Sequence, residues 1–334
     1  MDRFVVGTGR CGSTLLSTML GEHPEVLSVF ELFNGLDVTR RFDPGPVPGE
    51  GFAELLAADQ PFIDAVVARG YQPPEVTYPF ERGRYRRGEA MPWVLVSCLP
   101  RFGDDPDALF DEVMDFCRTL PPQPMADHYR SLFAWLGRRL GRPHFIERSG
   151  SSIEYLGALR QAFPDARFVH LHRSGPEVAL SMHAFPAYRL PVALLYADEF
   201  GIERPALEEF HRPPRVGDRI SRILAEPPPP EVFGRYWNDQ IHRGLDGARG
   251  LGGDRLLEVR FEDLVRRPAE ELGRIAEFFE LPDPGGAWVE RAAARVRGVP
   301  RLRLPELSGP ARARLLGACR TGMERLGQEI PESG

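Results

Sequence analysis

The chain has 334 residues, 42% of them hydrophobic, and a formal net charge of −6. That is enough apolar side chain for a sizeable α/β core, and the acidic balance argues against a general nucleic-acid binder. All 42 basic residues are arginine, which removes any mechanism that needs a Schiff-base lysine or a Walker lysine.

In chain order, RFVV (3–6) reads as a buried parallel strand, followed by the glycine-rich turn GTGRCG and a helix over Thr14–Leu20. EVLSVFE (25–31) reads as a second strand. Residues 32–50 read as loop, 51–69 as one helix, and 71–106 show no periodicity. Helical patterns follow at 107–118 and 127–140. A dense series then begins: strand HFIE (144–147), helix 152–163, strand RFVHLH (167–172) and a helix over 175–183 with Pro176 in its first turn. Residues 185–230 are rich in proline and weakly patterned, as expected of a lid or insertion. A helix from 230, strand RLLEVRF, a helix from Ala269 and two C-terminal helices at 286–296 and 309–327 complete the chain. Strands alternating with helices predict a parallel sheet covered on both faces.

The four cysteines Cys11, Cys98, Cys117 and Cys319 form no CxxC pair, so neither a structural zinc nor a disulfide framework is expected and a reducing, cytoplasmic setting is. The sequence shows no charged-then-apolar leader, no apolar run of about 18 residues, and no Asp/His cluster with metal-ligand spacing.

The glycine turn admits three readings. Gly7, Gly9 and Gly12 satisfy GxGxxG after a strand, and Glu31 ends the second strand where a ribose-binding acid would sit; this is the fingerprint of a Rossmann-type NAD(P) or FAD oxidoreductase. Gly7 and Gly12 also have Walker spacing, but the lysine that should follow is absent. The third reading uses the whole stretch: Arg10 inside the turn and Ser13–Thr14 opening the helix would hold a terminal phosphate-like group by backbone N–H, hydroxyl and guanidinium. Arg173 at a strand's carboxyl end, with Ser181 eight residues on, can grip a second, separate phosphate, for which a dinucleotide site has no obvious need.

Together VVGTGRCGSTLLSTMLGEHPEVLSVFE, IERSGSSIEYLGALRQAFPDARFVHLHRSGPEVALSM and LEVRFEDLVRRPAEELGRIAEFFELP resemble the PAPS-dependent sulfotransferase family. The likeness is greatest to its bacterial and tyrosylprotein-type branch, whose His-Pro before the second strand is matched by His23-Pro24. The resemblance implies an α/β fold with a P-loop-NTPase-like parallel sheet flanked by helices and a helical or loop cap on the acceptor side. It implies one domain over 1–334, with a donor-binding core at about 1–31, 144–184 and 231–282 and the cap at about 32–125 and 185–230. Gly9, Arg10, Cys11, Gly12, Ser13, Thr14 and Leu15 would form the 5′-phosphosulfate loop, and Arg173 and Ser181 would bind the 3′-phosphate. Glu31 would be the general base, with Arg10 and Arg148 on the transferring group, PAPS the donor and PAP the product. No metal is implied.

Two departures stand out. Cys11 replaces the usual serine, and a thiol at a helix N-terminus is expected to be acidified. The second is that IERSGSS lacks the Lys-Thr/Asp-Pro that commonly follows this glutamate (Glu147) in the family, so Arg148 stands where lysine is commoner; apart from these, Phe261 stands where tyrosine is common. Other branches use a histidine base, which makes His172 and His183 rivals of Glu31. The acceptor is expected to be a hydroxyl of a small molecule, glycan, lipid or carrier-bound group; the arginine-rich FERGRYRRG (80–88) would suit an acidic one. A homodimer is compatible with the sequence, and a non-catalytic nucleotide-binding relative is the third functional class.

Overall fold

A computed structural model describes residues 1–215, 217–283 and 286–331. It divides into two compact units, each assembled from three stretches of chain. The first comprises Met1–Leu55, Asp111–Arg173 and Gln240–Arg301; the second comprises Leu56–Phe110, Ser174–Asp239 and Leu302–Gly334.

The first unit holds the sheet. Its strands are β1 (Arg3–Val6), β2 (Val26–Phe30), β3 (His144–Arg148), β4 (Arg167–His172) and β5 (Leu256–Arg260). All pairings are parallel, in the order β2-β3-β1-β4-β5. The apolar runs form strands because both faces are covered: every residue of β1 is buried. On one face Val5, Val169, Leu171 and Val259 pack with Leu16, Met19 and Leu20 of the helix Ser13–Gly21 and with Leu272 and Ile275 of the helix Pro268–Phe278. Each such side chain contributes about 1.5–3 kcal/mol on burial. The rings of Phe4, Phe163 and Phe168 gather in a further cluster, Phe4 lying 4.9 Å from Phe163 and 5.6 Å from Phe168.

The strand order separates two of the sequence readings. A dinucleotide-binding sheet places its second strand beside the first, in the order 3-2-1-4-5-6. Here β3 lies between them, with Val5 opposite Arg148 and Phe30 opposite Arg148 on its other side. Glu31 therefore leaves the sheet one strand away from the glycine turn. The architecture is the expected P-loop-NTPase-like parallel sheet flanked by helices.

The second unit is helical. The expected helix over 51–69 is two, Gly49–Ala57, most of which belongs to the first unit, and Pro61–Ala68 in the second, because Pro61 can only begin a helix; Gln60 caps the latter by accepting the N–H groups of Phe62 and Ile63. The weakly patterned 185–230, expected as a lid or insertion, contains regular structure. It folds as the short helices Pro186–Leu195, Ala197–Phe200, Leu207–Phe210 and Arg219–Ala225, with Val216 outside the described residues. Helices of one to three turns give too little periodicity to read. Leu190, Ala193, Phe210, Ile220, Ile223 and Leu224 pack with Ala65 and Val66, and Arg69 binds both carboxylate oxygens of Asp218 at 3.2 and 2.8 Å. Among the described residues no single helix is long and apolar enough to cross a membrane.

Asp64 is a weak point of this unit. Burial, and then the charge of Asp59, push its carboxyl up to about 7, and its Oδ2 is buried without a partner among the described residues. A carboxyl raised above its unfolded value stabilises the fold fully at acid pH and loses that contribution as pH rises toward 7. Asp64→Asn is therefore expected to gain about 1–2 kcal/mol over wild type at pH 8, after discounting for partial exposure, and almost nothing at pH 4, read from urea unfolding at the two pH values.

Candidate active site

The site is built at the carboxyl ends of β1, β2 and β3, the edge of an open α/β sheet where ligands bind. β1 runs into Gly7–Gly12. Gly7 has no room for a side chain: a Cβ there would lie 2.5 Å from the Leu171 carbonyl oxygen and 2.8 Å from Cys11 Sγ. Its N–H is held by Ser152 Oγ at 3.3 Å, and its carbonyl accepts from Ile153 N–H at 3.3 Å. Gly12 stands at φ 100° and precedes the helix Ser13–Gly21, to which it offers no capping side chain. A Cβ on Gly12 would sit 2.1 Å from the Phe261 ring. That ring also carries the Arg173 guanidinium 5.0 Å from its centroid, a cation–π distance. Phe261 is thus a floor shared by the turn and Arg173.

Glu31 and Arg148 meet as a buried ion pair, Arg148 Nη1 donating to Glu31 Oε1. The second carboxylate oxygen accepts from Gly150 N–H at 2.9 Å and from Asn34 Nδ2 at 2.6 Å. The Glu31 N–H donates to the Arg148 carbonyl at 2.8 Å, so backbone and side chain lock the two strand ends together. The guanidinium stacks 3.9 Å from the Phe30 ring centroid, and Nη2 reaches toward Thr14 Oγ1 at 3.5 Å. Arg148 is 1% exposed and Glu31 5%. Three non-glycine residues here adopt left-handed backbone, Arg10 at φ 62°, Glu31 at 55° and Ser151 at 56°. Each requires its surroundings to hold it there, because the conformation costs about 1–2 kcal/mol.

Of the residues singled out in the sequence, the first unit brings together Glu31, Arg148 and Thr14, with Gly9, Arg10, Cys11, Gly12, Ser13 and Leu15 on the same turn and helix start. Arg173 follows β4 in this unit. Ser181 is a buried residue of the helix Gly175–His183 in the second unit. Asn34, Ser149, Gly150 and Ser152 were not expected at the site. The run RSGSS after a strand, small polar residues around a glycine, was the available signal for three of them; Asn34 had none.

Two expectations are corrected. Cys11 is fully buried in the core under the turn, and burial pushes its thiol up rather than down. Its sulfur packs as a small apolar group, which is why cysteine serves in place of serine. His172 does not stand free as a base. It shares a face of β4 with His170, their rings 5.4 Å apart, and its Nε2 is 3.8 Å from Glu258. Burial, then His170, push it down to about 4, far below a base matched to neutral pH. His183 belongs to the second unit, where its ring meets Phe233 edge-on, and burial also lowers it.

The carboxyl edge of the parallel sheet thus gathers a tight turn with left-handed backbone, a buried arginine and a carboxylate. A sulfotransferase family model matches residues 96–203 and 230–285, which include Arg148, Arg173, Ser181 and Phe261. The chain belongs to the sulfotransferase family. No curated protein matches it by sequence. Among solved structures that align with it are the sulfotransferase domain from the curacin biosynthetic pathway (12% identical, 99% of each chain covered, TM-score 0.49) and that of the Synechococcus PCC 7002 olefin synthase (18% identical, 99% of this chain and 95% of that one, TM-score 0.48). Sulfotransferase STF9 from Mycobacterium avium is a third (17% identical, 98% and 77% covered, TM-score 0.47).

Proposed function

We propose that the chain transfers a sulfuryl group from PAPS to a hydroxyl of a small-molecule, glycan, lipid or carrier-bound acceptor, releasing PAP. The observation that carries this reading is the convergence of Arg148, Glu31 and Thr14 beside the start of the helix Ser13–Gly21. The residues present suit the donor: a turn with no room for side chains at Gly7 and Gly12, a helix start to which Gly12 offers no capping side chain, and arginine as the cation. When bound, the donor supplies the sulfuryl group and leaves with the bridging electrons on its phosphate.

Glu31 accepts the proton of the acceptor hydroxyl as the new S–O bond forms. Arg148 and Arg10 offset charge on the transferring group, and the N–H groups of the turn and of Ser13 and Thr14 do the same for the departing phosphate. Arg148 also orients Glu31, since their ion pair fixes the carboxylate. Arg173, held over Phe261, binds the 3′-phosphate.

The test is a thermal shift with 3′,5′-ADP against NAD, followed by transfer of labelled sulfate from PAPS to an acceptor panel. Stabilisation by 3′,5′-ADP and label transfer are expected; stabilisation by NAD alone, or donor binding with no transfer to any acceptor, sinks the reading. Arg173→Ala is expected to weaken 3′,5′-ADP binding about 10- to 100-fold, the worth of one charge-assisted phosphate contact, measured by calorimetry.

A further inference from the structure

A second buried acid lies beside the Glu31–Arg148 pair, and the proposed chemistry does not use it. Glu147, in β3, is 1% exposed. Its Oε1 accepts from Ser149 Oγ at 2.6 Å, and the same hydroxyl oxygen accepts the Phe33 N–H at 3.1 Å. Phe33 opens the 3-10 turn Phe33–Gly35, from which Asn34 donates to Glu31 at 2.6 Å. Tyr155 Oη reaches toward Asn34 Oδ1 at 3.5 Å, and Arg41 stacks 3.9 Å from the Tyr155 ring while donating to the Phe33 carbonyl at 3.2 Å. One chain of contacts therefore runs from Glu147 through Ser149 and the Phe33–Asn34 backbone to the carboxylate of Glu31.

We infer that Glu147 is a positioning residue, holding Ser149 and thereby the turn that presents Glu31, and that it does so as the uncharged acid. Its Oε2 has no partner among the described residues, a position that an ionised oxygen, cut off from water, occupies at far greater cost than a neutral one. The groups around it are Glu31 and Arg148 at the site, Tyr129 on the helix Met125–Leu140, Tyr155 on the turn Ser152–Tyr155, and Arg41 after β2. Burial is the main cause that raises its carboxyl, to about 8, and the like charge of Glu31 acts in the same direction; Ser149 and Arg148 oppose. Both tyrosines are raised above the phenol range and stay neutral. Above pH 8 a second negative charge forms in the closed space behind Glu31, and repulsion between the two carboxylates displaces Glu31 from the position the turn gives it.

The kinetic consequence rests on the proposed function; the protonation state does not, and the test has an arm for each. In the first, infrared spectroscopy on the full chain follows the protonated-carboxyl band that is missing from Glu147→Gln. The band is expected to titrate near pH 8 and to titrate lower in Glu31→Gln, where the like charge is gone. Titration in the ordinary carboxylate range, or no response to Glu31→Gln, overturns the inference whether or not sulfuryl transfer is ever detected. In the second arm, kcat is profiled against pH. Glu147→Ala and Ser149→Ala are each expected to lower kcat about tenfold with the donor KM unchanged, the effect of one lost hydrogen bond realised in the transition state. Glu147→Gln, which still accepts from Ser149, is expected to restore kcat and remove the alkaline limb near pH 8. An unaltered limb in Glu147→Gln, or failure of glutamine to rescue where alanine is impaired, overturns it too.

Discussion

Glu31→Gln is expected to lower kcat for sulfuryl transfer about 10²- to 10⁴-fold, the usual contribution of a general base, with 3′,5′-ADP binding preserved. The substitution keeps one carboxyl-like oxygen and the length of the side chain. It removes the charge and turns one acceptor into a donor. Arg148 Nη1, Gly150 N–H and Asn34 Nδ2 all donate to the Glu31 carboxylate, so an amide leaves at least one of them unmatched. A buried pair broken on one side costs about 3–5 kcal/mol, because the remaining charge stays buried. The variant is therefore expected to melt well below wild type yet to bind donor product when kept cold. That separation matters, since the ion pair also suits a purely structural Glu31. A structural role predicts loss of stability with turnover near normal in the surviving folded fraction; turnover close to wild type, measured at low temperature and normalised to 3′,5′-ADP binding sites, would falsify the base assignment.

Gly12→Ala is expected to be strongly destabilising. At φ 100° alanine meets a strain of about 1–2 kcal/mol. The new Cβ would also lie 2.1 Å from the Phe261 ring, and relieving such overpacking costs about 1–3 kcal/mol. The sum is about 2–5 kcal/mol of stability, read from urea unfolding, together with loss of the thermal shift by 3′,5′-ADP. The two causes can be separated. In a Phe261→Ala background the steric part disappears and only the backbone strain remains, so the two substitutions are expected to be less damaging together than their sum. Simple additivity would show that ring and turn do not press on one another.

The five strands were legible because parallel strands covered on both faces are written as unbroken apolar runs, and RFVV and RFVHLH could hardly be anything else. Their order was not legible. That β3, one hundred and more residues away in sequence, inserts between β1 and β2 is a long-range fact, and it is what turns Glu31 away from the ribose role and onto Arg148. Glu31 and Arg173 stood out as charged residues at strand ends, and Arg148 through the family resemblance alone. Gly150 acts through its N–H, and Ser149 and Ser152 as small hydrogen-bonding links, so they left only a compositional trace in RSGSS. Cys11 was misread because side-chain direction inside a tight turn has no period to reveal it. The helices within 185–230 were missed for want of enough turns to show a face.

The left-handed backbone at Arg10, Glu31 and Ser151 has an evolutionary consequence. Glycine adopts that geometry without penalty, so at each of these positions glycine is the residue that conformational strain alone favours. At Arg10 and Ser151 selection for thermostability alone pulls toward glycine, whereas at Glu31 the buried pair with Arg148, worth about 3–5 kcal/mol when broken on one side, outweighs the strain of about 1–2 kcal/mol. A lineage that retains arginine at position 10 against that pull is one in which its side chain is being used.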